Sequence, residues 1–324
     1  MLNLAILKKT IYESRWLFLC CAVIIFVFCL VHVTVTSQIS MGQFETLLDN
    51  IPSYFEDLFP VEFKKLMTYQ ARIALTYEEP LLYLLMTLWC VTRSSDVVSG
   101  ELGRGTMEMT LSQPVTRLQV LMTPVFVTIC GVILLSLIAW AGTCTGISIN
   151  SIDRPPPNSS FQIPFTSIKI PTGVNPEDME TIPLRQLVEL RAFLPAVANY
   201  CSLGIFLTGV CTLLSALDRY RWRTIGIFMG FYVLEMLAEI LGSAFPAFRW
   251  SHYLTFFRAY EPIKFVSESV QDKSLTWAWF LRDASGNIMD VGPLGGDFIL
   301  IGLGMLGIVF AAMVFSHRDL PAPI

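Results

Sequence analysis

The chain has 324 residues, 54% of them hydrophobic and 15% charged, with 26 acidic against 22 basic side chains for a net charge of −4. Soluble domains carry about 25% charge, so an ordinary water-soluble domain is excluded; the mean hydropathy of +0.59 points to lipid as the solvent. The weak acidic balance, with no long basic tract, leaves nucleic acid out of the partner list.

Crossing ~30 Å of hydrocarbon takes roughly 20 helical residues. Residues 1–15 precede the first such stretch. Leu4, Leu7 and Ile11 share one helical face, with Lys8, Lys9 and Glu13 away from it, the pattern of an amphipathic N-terminal interfacial helix. The first span, about 16–36, has no charge from 16 to 35 and no A-x-A-like cleavage site after it. It reads as a retained anchor rather than a removed secretory signal. An acidic outer insertion, about 37–77, follows, and apolar spacing over 54–74 predicts a helix lying on that surface. The second span, about 78–98, is charge-free until Arg93 and Asp96.

A polar wedge then separates two apolar runs. Gly100 and Gly103 are expected to turn the chain after the second span. Thr106 is suited to N-cap a short helix, and Glu108 in its first turn complements the helix dipole. Pro114 stops that helix after about two turns, and Thr116 is placed to cap the third span, about 118–149.

The second outer insertion, about 150–191, contains Pro155, Pro156, Pro157, Pro164, Pro171, Pro176 and Pro183, which forbid a long helix. Residues 161–170 are expected to form a short strand. Asn158-Ser159-Ser160 matches a glycosylation acceptor, too common a triplet to carry weight. The fourth span, about 192–217, ends at Arg219-Tyr220-Arg221-Trp222-Arg223, and the fifth covers about 224–246. A third outer insertion, about 247–296, is rich in Trp, Tyr and Phe and predicts short helices dipping into the interface. The sixth span is about 297–316. The fold class is therefore all-α integral membrane: a single transmembrane domain over 1–324 with six transmembrane helices and extended outer loops.

Six spans put both termini on one side. The short segments on that side hold Lys8, Lys9, Arg15, Arg93, Arg104, Arg117, Arg219, Arg221, Arg223 and Arg318, and this density makes it the cytoplasmic side. All eight cysteines lie within spans and form no C-x-x-C pair, so neither a disulfide framework nor a metal site is expected. His32, His252 and His317 sit on scattered elements, and His32 reads as a hydrogen-bonded core residue.

The run Ser99-Gly100-Glu101-x-x-Arg104-Gly105-Thr106-x-Glu108-x-x-Leu111-Ser112-x-Pro114-x-x-Arg117 resembles the signature of ABC-2-type permeases, the membrane subunits of bacterial ABC exporters. The closing Arg318-Asp319-Leu320-Pro321 is similar to the tail of such permeases. The resemblance implies that a short cytoplasmic coupling helix between spans 2 and 3 contacts a separate ABC ATPase subunit. Glu101, Arg104, Gly105, Thr106, Glu108, Leu111, Pro114 and Arg117 are its implied contact set. No G-x-x-x-x-G-K-[ST] occurs, so this chain is not itself the enzyme; ATP and Mg belong to the partner. The resemblance further implies a homodimer, or a heterodimer with a related permease, in the bacterial cytoplasmic (inner) membrane.

Glu235 and Glu239 lie one turn apart on the fifth span and so share a face. A carboxylate at mid-bilayer costs ~2.5–3.5 kcal/mol on insertion scales, so the two avoid lipid. Either they line the substrate path, or they pair with groups near the outer leaflet. Gly226 with Gly230, and Gly142 with Gly146, are G-x-x-x-G pairs suited to helix packing or a dimer contact. Two other function classes fit a chain of six spans. A membrane-embedded enzyme acting on lipids or peptides needs H-E-x-x-H or G-x-S-x-G chemistry, which is absent. A non-transporting scaffold leaves the wedge without a purpose.

Overall fold

Asn3 starts the first helix, its Oδ1 accepting from the amides of Ala5 (2.9 Å) and Ile6 (3.3 Å). With no Gly or Pro to interrupt it, α1 runs unbroken over Leu4–Gln38. Its 35 residues reach about 52 Å at 1.5 Å each, well beyond the hydrocarbon thickness. The separate interfacial helix expected at 1–15 is thus the first turns of the first span. Thr10 and Ser14 face inward, while Leu4 and Ile11 of the expected apolar face point away from the protein.

The chain is described by a computed structural model over residues 3–39, 68–154, 160–162, 169–171, 180–282 and 288–318. Six helices in it are long and apolar enough to cross a membrane. The second is α2, Pro80–Ser95, with proline at its first position where no donor is needed. It is preceded by a short helix, Tyr69–Ala74, and continues past Ser95 to Arg104. Then come the short α3 (Met107–Leu111) and the spans α4 (Arg117–Ile149), α5 (Leu194–Leu217) and α6 (Arg221–Ala244). A 10-residue helix, α7 (Pro262–Gln271), packs beyond the spans before the last one, α8 (Pro293–His317).

Among the described residues, three two-stranded antiparallel ladders lie in the insertions between spans. β1 (Ser151–Arg154) pairs with β4 (Glu180–Pro183), β2 (Ser160–Gln162) with β3 (Lys169–Pro171), and β5 (Phe280–Arg282) with β6 (Ile288–Val291). Of the strand expected over 161–170, the described ends pair with each other, Phe161 opposite Ile170, and 163–168 lie outside the described residues. Asn158, residues 54–67 of the expected surface helix, and the tail from Asp319 onward lie outside the described residues.

The core is built around α5, whose Tyr200, Leu203 and Leu207 meet Leu82, Met86 and Trp89 of α2. Backbones approach most closely where glycine removes the side chain. A Cβ on Gly209 of α5 would stand 2.0 Å from the carbonyl oxygen of Gly304 on α8. A Cβ on Gly142 would lie 2.7 Å from Phe26 O, and one on Gly146 2.8 Å from Val33 Cβ, so this pair seats α4 against α1. The other pair behaves oppositely. Gly226 and Gly230 have no neighbour within 4 Å among the described residues. Only 11% of the apolar window of α6 is buried, against 67% for α5, so α6 offers an open face.

Candidate functional site

One end of the bundle gathers the start of α1, the end of the second span, α3, the start of α4, the end of α5, the start of α6 and the end of α8. The element that organises it is a π-helical turn, Asp96–Gly100. Such a turn adds a residue to the helix and leaves main-chain donors out of register. Here the amides of Val98 (3.3 Å) and Ser99 (3.0 Å) donate to Ser215 Oγ of α5. Ser215 Oγ in turn donates to Ser95 O (3.2 Å), and Thr224 Oγ1 of α6 donates to Ser99 Oγ (3.0 Å). All four hydroxyl residues are fully buried. The second span is therefore fastened to two others at its irregular turn.

Gly100 and Gly103 do not turn the chain, as the sequence led one to expect. Both sit inside the continued helix, and Gly100 leaves room for Asp96, whose Oδ1 would be 2.2 Å from an added Cβ. The stop falls at Gly105, the positive-φ residue (φ 70°). Thr106 N donates to Glu101 O and Gly105 N to Leu102 O, both at 3.1 Å, a Schellman ending. This geometry also changes the role of Thr106. It keeps helical angles, and its hydroxyl turns back to donate to the Glu101 carboxylate, so it makes no side-chain cap on α3.

Charges knit the same end. Arg104 reaches Asp96 through Nη1 (2.6 Å) and Nη2 (3.3 Å), and Glu101 at 3.3 Å. Arg221 Nη1 lies 3.3 Å from Asp96, and Lys9 Nζ 3.0 Å from Glu101. Glu101 and Arg104 are thus internal braces. Arg117 is another: its Nη1 donates to the carbonyls of Phe315 (3.4 Å), Ser316 (3.3 Å) and Arg318 (2.7 Å), closing the end of α8. Arg318 does the same for α5, donating to Ala216 O (2.6 Å) and Asp218 O (2.9 Å). Partial burial works to raise the Asp218 carboxyl, but the Arg223 guanidinium and the Arg219 and Tyr220 amides hold it below the usual range.

On this base stands α3, five residues and so about one and a half turns rather than two. Met107 is buried and Leu111 packs beside it, while Glu108, Met109, Ser112, Gln113 and Pro114 are exposed. Met109 is 72% exposed, the apolar tip of the ridge. Pro114 ends the segment, and Thr116 caps α4 in a reciprocal box: Gln119 N donates to Thr116 Oγ1 (3.2 Å), and Thr116 N to Gln119 Oε1 (3.0 Å).

The two acids of α6 lie toward the opposite end and have partners. Glu239 accepts from Thr255 Oγ1 (2.6 Å) and pairs with His252 Nδ1 (2.9 Å); Glu235 accepts from Phe256 N (3.2 Å). That hydrogen bond and the Glu239 charge push the His252 imidazole up from its ordinary value. His32 bonds Thr76 Oγ1 at 2.7 Å. Nearby, Asp290 of β6 binds Arg258 (3.0 Å) and Lys264, and Lys264 binds Glu261 (2.7 Å), tying β6 to α7. Sequence reasoning overlooked Asp96, Ser99, Ser215 and Thr224 as partners. The only local signal for them is hydroxyls recurring in otherwise apolar helices.

No curated protein matches the chain. Residues 4–156, which take in α1, the second span, the whole wedge and α4, match the family model described as ABC-2 family transporter protein. That match spans just under half of the chain, and with six apolar helices it supports an ABC-2-type permease, a membrane component of an ABC transporter.

Proposed function

We propose that this permease is one half of an exporter driven by a separate ATPase that docks on α3 from the cytoplasm. The observation that carries the reading is the contrast within the wedge. An exposed ridge of Glu108 and Met109 stands on a base bonded to α1 by Lys9, to α5 by Ser215, to α6 by Thr224 and Arg221, and to α8 by Arg117. A push on the ridge is therefore shared by several spans, as rigid-body transport requires. The partner supplies ATP and Mg. The basic residues at this end, Lys9, Arg93, Arg104, Arg117, Arg221, Arg223 and Arg318, favour the cytoplasmic side of a bacterial inner membrane.

A second permease, either another copy or a relative, packs on the open face of α6, where Gly226 and Gly230 permit close approach. Glu235 and Glu239 act on the route through the segment they hold, 251–256, and not as bare charges within it.

Co-purification with the candidate ATPase tests the reading. Met109→Asp should weaken docking about tenfold or more, as loss of an apolar anchor does. Glu101→Ala and Arg104→Ala should retain docking while ATP hydrolysis no longer drives transport. Full docking by the Met109 variant would refute the assignment of α3.

A further inference from the structure

Among the described residues the apolar interior falls into two cores. The larger takes Cys90 and Val91 of α2, Val132 of α4, Cys211 of α5 and Leu300 of α8. The smaller, at the wedge end, takes Val97, Val120, Ala216 and Ile308 from the same four spans, together with Met107 of α3. Between the two, the spans bury small or hydroxyl residues instead: Ser94 and Ser95, Thr128, Thr212 and Gly304. At that level each helix is weakened in its own way. The second span has its π-helical turn, Asp96–Gly100, and α4 has Pro124, which removes a main-chain donor and crowds the preceding turn. Thr10 of α1, Thr128 of α4 and Thr212 of α5 bond back to the carbonyl four residues earlier (2.8, 2.9 and 2.6 Å), a contact that bends helices. In α8 the same level holds Gly302, Gly304 and Gly307.

Those three threonines bond within their own helices, so one core sliding past the other breaks no hydrogen bond at them. The polar bonds between spans lie on the wedge side: Ser215 with the π-helical turn, Thr224 with Ser99, and Arg117 with the end of α8. A cleft of about 490 Å³ borders both helix defects, with Asp96, Val97 and Pro124 in its wall, and leaves room for movement beside α1. We propose that the smaller core and the wedge form one body that swings against the rest of the bundle, bending the second span at Asp96–Gly100 and α4 at Pro124. A bend of about 20°, the threshold of a sharp kink, acting along about 13 Å of helix between Asp96 and Arg104, moves α3 by about 5 Å. The swing is a property of the chain alone, whatever docks on α3.

The test uses the full-length chain in lipid nanodiscs, without nucleotide or partner. Spin labels enter as unnatural amino acids, so that the cysteines stay native, and double electron–electron resonance reads the distances between them. Three pairs use exposed positions: Leu84 with Leu137 in the main body, Met109 with Trp222 in the swinging body, and Leu84 with Met109 across the two. The pair across the two bodies should give a distribution wider than the others by about 5 Å. Pro124→Ala, which restores the missing main-chain donor, should remove much of that extra width. Equal widths for all three wild-type pairs overturn the proposal. A Met109–Trp222 distribution as wide as the one across the bodies also overturns it, because α3 then moves by itself. Unchanged width in Pro124→Ala overturns the hinge in α4. Docking of an ATPase on α3 stands or falls separately from each of these results.

Discussion

Arg117 Nη1 lies 2.7 Å from the main-chain oxygen of Arg318, so the first residue of α4 closes the end of α8. The two residues are 201 positions apart. Arg318 in turn closes α5. Three spans thus meet through guanidinium–carbonyl bonds that satisfy helix-terminal oxygens.

Replacing Arg117 by Ala should release the end of α8 and lower stability by ~1–2 kcal/mol, the scale of a partly exposed charge-assisted set. Thermal unfolding in detergent measures this. Because one nitrogen, Nη1, makes all three contacts, Arg117→Lys should recover part of the loss if its shorter reach still places the ammonium there. An unchanged melting temperature for Arg117→Ala would show that the capping is idle.

Ser215→Ala leaves the amides of Val98 and Ser99 buried without an acceptor. The cost should be ~1–3 kcal/mol, clearly above that of Ser112→Ala, whose hydroxyl is solvent-exposed. The variant should also show faster amide exchange over 96–104, because the π-helical turn loses its partner. Equal effects from the two serine variants would argue against this.

The two glycine pairs should separate cleanly. Gly142→Leu forces a side chain into the backbone of α1 at Phe26 and should destabilise the isolated chain. Gly230→Leu meets open space and should leave it intact, while weakening association between permeases. Melting curves and cross-linking through α6 report the two effects. Loss of folding in Gly230→Leu would contradict the open face.

His252 should make the 249–256 segment pH-dependent. Its folded-state value is raised above the ordinary 6.5 by the hydrogen bond and charge of Glu239, opposed by burial and Arg258. The stabilisation is therefore complete below about pH 6.5 and fades as pH climbs through the raised value. With the intrinsic base-catalysed rise in exchange divided out, protection over this segment should fall as pH climbs above about 6.5 in the wild type. That protection should vary little with pH in His252→Gln; wild-type protection that does not fall with rising pH would refute the coupling.

Much of this molecule is legible without coordinates. Long charge-free runs point to spans, and Thr116, expected to cap the third, does so in a reciprocal box with Gln119 that sequence reasoning overlooked. Local rules misjudged positions where two signals compete. Gly100, Gly103 and Gly105 each look like a stop, yet only Gly105 adopts the left-handed conformation. Asp96, folded over Gly100 and gripped by Arg104 and Arg221, keeps the helix going for one more turn. Thr106 looks like a cap, but the Glu101 carboxylate claims its hydroxyl first.

Hydropathy, run length and the wedge motif lie within short windows of chain, so the amino-acid order alone determined six apolar spans with a polar link after the second. Which glycine pair is filled and which is open, and why Arg117 reaches the end of α8, depend on residues brought together from distant parts of the chain. Those contacts arise from helix packing, where one face is selected against another by its neighbours, and no periodicity within a single helix encodes that choice.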